Sequence, residues 1–116
     1  MHRFALLIFL ASFTNSTAFA EGDYDRGKEL AKSWECTECH GLTGNERSAE
    51  GSQNTYKSVP MLAGQPASYL VRTLNQYKTR ARVDDHKASR MSKRAGDLSD
   101  QDIEDIAAYF SAQKRY

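Results

Sequence analysis

Apolar positions recur with helical spacing in three stretches of this 116-residue chain, and none alternates convincingly with the period of two expected of a half-buried strand. The first stretch runs from about Asp23 to Trp34. Asp23 or Asp25 can cap it, and Gly27, Leu30, Ala31 and Trp34 fall at i, i+3, i+4 and i+7. A glycine on that stripe points to another backbone passing close by. The second helix begins at Pro66, which suits a first turn because its missing N–H would be unpaired there anyway. Leu70, Thr73, Leu74 and Tyr77 form its inward stripe. The third has the fullest set of signals. Ser99 is its N-cap, Asp102 stands in capping-box position, and Leu98 can staple onto Ile103. Asp100, Asp102, Glu104 and Asp105 crowd its first turns, and Lys114 and Arg115 close its end, both favourable to the helix dipole. Ile103, Ile106, Ala107 and Phe110 line its buried face. Between the first two helices, residues 41–58 are polar and without period, a length unusual in a compact domain unless the loop has a task. Covering one edge of a planar cofactor would be such a task. The expected fold is all-α, three main helices and a long loop.

The start of the chain has a different pattern. Arg3 gives a basic start, Phe4 to Phe13 are mostly apolar, and Ala18-Phe19-Ala20 is a small-x-small cleavage signal. The apolar run is too short for a membrane-spanning helix, which needs ~20 residues. Residues 1–20 therefore read as a cleaved signal peptide and 21–116 as one domain, exported to the periplasm and without stable membrane insertion. Sixteen lysines and arginines stand against fifteen acids for a net charge of +1, and the two sets balance once Arg3 is removed. That balance argues against nucleic acid as a partner. It is uneven, however: Arg72 to Arg94 hold eight basic residues against Asp84 and Asp85 alone. Aliphatic β-branched residues after the leader are few, namely Val59, Val71, Val83, Ile103 and Ile106, so the core needs another apolar centre.

The chemistry lies in Cys36-Thr37-Glu38-Cys39-His40, a C-x-x-C-H run of the kind that attaches c-type haem. Two thiols at this spacing can each add to one of the two haem vinyl groups, and the following imidazole then lies under the porphyrin as an axial ligand. A single covalent haem c would supply the missing apolar centre. If His40 holds one side of the iron, Met61, Met91 and His86 are the side chains that can reach the other. Met91 is preferred, because a methionine among Arg90, Ser92, Lys93 and Arg94 makes little sense as core filler. It also stands just before the third helix, far enough from His40 to come round to the opposite side. His86, between Asp84-Asp85 and Lys87, reads as a solvated loop residue, and Met61 as a spacer between Pro60 and Leu62. An iron with no sixth protein ligand is the remaining alternative.

Beyond that run, Pro60-Met61-Leu62-Ala63-Gly64-Gln65, Tyr69-Leu70, Met91, Leu98-Ser99-Asp100-Gln101-Asp102-Ile103 and Ala107-Ala108-Tyr109-Phe110 together resemble the class I c-type cytochromes, in particular the bacterial c553/c4-like group. The resemblance covers nearly all of residues 21–116. It implies that Cys36 and Cys39 hold haem c, that His40 and Met91 ligate iron, and that the Pro60 carbonyl accepts the other N–H of His40. It also implies that the first and last helices cross, giving Gly27 a neighbour near Tyr109. Two features depart from the pattern. Two-haem c4 relatives have two such domains, whereas one C-x-x-C-H here implies one haem. The segment after Tyr77 usually carries a glycine and then a basic residue; Thr79-Arg80-Ala81-Arg82 has no glycine, which leaves the path toward Met91 open.

An iron with both axial positions filled does not bind substrate, so the expected function is one-electron transport rather than catalysis, with redox proteins docking at the basic 72–94 segment. The main alternative is a haem c electron-accepting subunit of a periplasmic dehydrogenase, for instance a flavocytochrome oxidising sulfide. A ligand-sensing haem would follow if Met91 did not coordinate. Trp34 before C-x-x-C also raises a thioredoxin-like enzyme, which the missing strands oppose. A zinc site from Cys36, Cys39, His40 and His86 lacks finger spacing.

Overall fold

The computed structural model describes residues 21–46, 59–82 and 85–116, the side chains of 85–89 excepted. The expected leader, most of the long loop and the His86 side chain lie outside that description. Among the described residues there are five helical segments, α1 (Tyr24–Ser33), α2 (Cys36–His40), α3 (Ala67–Lys78), α4 (Asp85–Ala95) and α5 (Asp100–Ser111), and no strand. The fold is all-α as expected, but α2 and α4 add to the three helices anticipated.

Local signals place three of the helix starts. The Asp23 carboxylate accepts from Arg26 N and caps α1. Ser99 and Asp102 form a reciprocal capping box at α5, leaving few unpaired amides at that end. Pro66 sits at the N-cap of α3 rather than inside its first turn. Lys114 and Arg115 fall beyond α5, which ends at Ser111. Arg115 Nε instead donates to the Ala63 carbonyl at 3.1 Å, tying the tail back to the segment before α3.

Helix α5 is the centre of the packing. It crosses α1 on one side and meets α3 on another, while α4 packs on α3 and the short α2 on α1. Ile103, Ile106, Ala107 and Phe110 are buried as the stripe predicted, joined by Ala31, Leu70, Ala95 and Leu98. At the α1–α5 crossing the residue on α1 is Gly27. A Cβ there would lie 1.9 Å from the Asp105 carbonyl oxygen and 3.0 Å from Tyr109 Cβ. Gly27→Ala should therefore force the two helices apart. Overpacking of this kind costs about 3 kcal/mol, only partly offset by the ~1 kcal/mol gain in helix propensity. Thermal unfolding should show a melting temperature lower by about 8–16 °C for a domain of this size; an unchanged value would contradict the crossing.

The same crossing buries a carboxylate. Asp105, 1% exposed, accepts from the Asp23 amide at 2.7 Å, from Gln101 Nε2 at 2.9 Å and from Arg26. Arg26 also reaches Asp102 at 2.6 Å. Burial alone would raise the Asp105 pKa, but these donors outweigh it and hold the carboxyl below its ordinary range. Asp105 thus has a second role beside its place near the start of α5.

Candidate cofactor site

Between α2, α3, α4 and α5 lies a cavity of about 560 Å³, within the range of small-molecule and cofactor sites, ~300–1,000 Å³. Much of its wall is apolar, with Trp34, Leu70, Leu74, Ile106 and Phe110 among the lining residues. This explains why Leu74 and Tyr77 are only half-buried although they lie on the inward stripe of α3: that stripe faces the cavity as well as α5.

Helix α2 brings the whole C-x-x-C-H run to one wall. Cys36, Cys39 and His40 all line the cavity. Glu35 precedes them at φ 58°, and Gly41 follows at φ 79°, so both ends of this single turn leave the helical region abruptly. Both cysteines are free thiols and half-buried. Burial pushes the Cys36 thiol up to about 11, so in this structure it is protonated at neutral pH.

His40 is 5% exposed, and its Nδ1 lies 3.0 Å from the Pro60 carbonyl oxygen. A carbonyl only accepts, so Nδ1 carries the proton and Nε2 keeps its lone pair. Burial lowers the His40 pKa, partly opposed by this hydrogen bond. The ring is therefore neutral at pH 7, the form that binds a metal. The hydrogen bond also fixes the ring's orientation and strengthens the donor.

Met91, on α4, lines the same cavity, and so does Met61. Their settings differ. Met61 directly follows Pro60, whose carbonyl bonds Nδ1 of His40. Met91 comes from a helix packed on α3. Helix α4 itself was not legible as one. Apart from Met91 and Ala95 the letters from 90 to 97 are polar or glycine, because the inward side of this helix borders a cavity rather than a hydrocarbon core. After α3 the chain turns through Arg80 at φ 59°, so an arginine adopts the left-handed conformation that glycine takes without strain.

The cytochrome c family model matches residues 24–114. The chain belongs to the cytochrome c family. It is 38% identical over 93 residues to cytochrome c-554(548) of Halomonas halodenitrificans, covering 80% of this chain and 99% of that one. It is 34% identical to cytochrome c4 of Stutzerimonas stutzeri, over 98% of this chain and 52% of the relative. The crystal structure of reduced recombinant cytochrome c4 from Pseudomonas stutzeri superposes with a TM-score of 0.60 at 33% identity, covering 82% of this chain and 47% of that one. The chain thus spans about half the length of the cytochrome c4 relatives it matches.

Cytochromes c are electron-transfer proteins rather than enzymes, and membership implies a covalently bound haem c. The residues present fit that group. Two free thiols, a neutral imidazole with one nitrogen available, and a thioether share one largely apolar cavity. Thr73 Oγ1, on a residue of the cavity wall, is buried with no hydrogen-bond partner, as expected where a polar group of a bound molecule completes the site. Among the described residues no strand supports a thioredoxin-like sheet, and no cluster of three or more His, Cys, Asp or Glu is placed to hold a metal ion; the His86 side chain of the zinc alternative lies outside them. Nor, among the described residues, is any helix long and apolar enough to cross a membrane.

Proposed function

We propose that the chain is a periplasmic monohaem c-type cytochrome acting as a one-electron carrier. The observation that carries this reading is the convergence of Cys36, Cys39, a neutral Pro60-bonded His40 and Met91 on one cavity. Cys36 and Cys39 would hold the haem through thioether bonds, His40 and Met91 would ligate its iron, and the Pro60 carbonyl would keep the imidazole in register. The bound group supplies an iron that alternates between ferrous and ferric states. Met91 is the soft donor that favours ferrous iron, and the apolar walls disfavour the extra ferric charge; both raise the potential. With the two positions filled, no exchangeable site is left for substrate chemistry. Export to the periplasm is supported by the leader-like pattern of residues 1–20.

Electrons reach such a site through docking, and the charge layout favours one side. Arg90, Lys93 and Arg94 are exposed on α4 and line the cavity, with Arg72 and Arg80 exposed nearby in the chain. Positive potential around the cavity opening steers an acidic partner face toward the haem. The experiment is a redox titration of the purified holoprotein with quantification of haem per chain. One haem and a reversible one-electron transition are expected. A second haem equivalent, or turnover on a small substrate without a partner, would contradict the reading.

A further inference from the structure

The two segments that carry the proposed iron ligands are supported by different parts of the fold. Helix α2 packs on α1 and α4 on α3, and among the described residues α2 and α4 do not pack on each other. What crosses between them is an ion pair, in which the Arg94 guanidinium donates to the Glu35 carboxylate. Glu35 immediately precedes Cys36, and Arg94 lies three residues after Met91, hence on the same side of α4. Both border the cavity. Glu35 has a second peculiarity. It is held at φ 58°, ψ 24°, and its side chain makes no capping bond to its own helix. A non-glycine residue in the left-handed region persists only when its surroundings hold it there, and here the carboxylate is turned to the opposite wall instead of to α2.

We propose that Glu35 and Arg94 are positioning residues, forming a strut across the haem cleft that keeps Met91 pressed toward the iron. The proposal rests on the reading of Met91 as the axial ligand. A thioether is the weaker of the two axial donors, and a competing ligand reaches the iron only if Met91 moves away from it. Moving Met91 outward moves α4 away from α2, and that displacement stretches the Glu35–Arg94 pair. Both side chains are 53% exposed, so the strut acts in a well-screened setting and its effect is modest and sensitive to salt.

The test uses the ferric holoprotein and reads the sulfur-to-iron charge-transfer band while imidazole displaces the methionine. Arg94→Gln and Glu35→Gln should each lower the half-displacing imidazole concentration by about 2- to 5-fold, the range an exposed ion pair provides. Glu35→Arg alone, which places like charges opposite each other, should lower it further. The exchanged pair, Glu35→Arg with Arg94→Glu, should bring it back toward wild type, which a general loss of packing would not do. High salt should reduce the wild-type value toward that of the neutral variants while leaving theirs unchanged. Neutral variants that titrate like wild type, or an exchanged pair that shows no recovery, overturn the strut while the ligand assignment stands. Absence of the band in wild type, or its survival in Met91→Ala, overturns the assignment itself and the strut with it.

Discussion

With Met91 as the proposed iron ligand, Met91→Ala should lower the reduction potential of the holoprotein and open its ferrous iron to carbon monoxide. Both effects have one cause. The thioether is a soft donor that stabilises ferrous iron, and its removal leaves a harder ligand such as water, or none, on that side. A fall on the order of 100 mV is expected, a fraction of the ~0.8 V over which axial ligands set haem potentials. Carbon monoxide should then bind at the position the thioether has vacated. Met61 lines the same cavity and serves as the internal control. It directly follows Pro60, whose carbonyl bonds His40, so on the proposed assignment Met61→Ala should leave both the potential and the carbon monoxide response near wild type. Potentiometry and ferrous difference spectra of the two variants make the comparison. If Met61→Ala gave the larger change, the two methionines would have to exchange roles.

Cys36→Ala combined with Cys39→Ala should remove all haem that survives denaturing electrophoresis. The thiols are free and share the cavity wall with His40, so their sulfurs are available for thioether bonds with the haem vinyl groups. Without them only the proposed iron ligation and apolar contact would retain the group, and both are lost when the chain unfolds. Either single substitution keeps one covalent link and should retain a stain. In-gel haem detection beside a total-protein stain reads the result, and a persistent signal in the double variant would place the attachment elsewhere. Double-variant chains that lose the group should also be less stable, because the cavity of about 560 Å³ between α2, α3, α4 and α5 is then unfilled, and unfilled volume forfeits packing contacts.

Helix α5 shows how far local chemistry reaches. Its start is written in Ser99 and Asp102, which bond each other's backbone amides across three residues, so nothing distant is needed to read it. Its buried stripe follows from the spacing of Ile103, Ile106, Ala107 and Phe110. Asp105 does not follow, since its donors Asp23 and Arg26 stand 82 and 79 residues away. From the letters alone it is one more acid near a helix start. Helix α4 is hidden from the sequence for a related reason. Hydrophobic periodicity detects a face buried against other side chains, and this face is turned toward a cofactor cavity that the sequence does not list among its residues.

The order of residues alone determined the attachment run and the α5 cap and marked Gly27 as a place where another backbone can pass, because each reads from covalent spacing, from bonds within one helical turn, or from a missing Cβ. Tertiary structure decided that Pro60 stands behind His40, that Met61 and Met91 reach the cavity from different segments, and that Glu35 meets Arg94 across it. Those relations join residues 20 to 59 positions apart. They exist only once the chain has folded back on itself, and periodicity within a single element carries no record of that return.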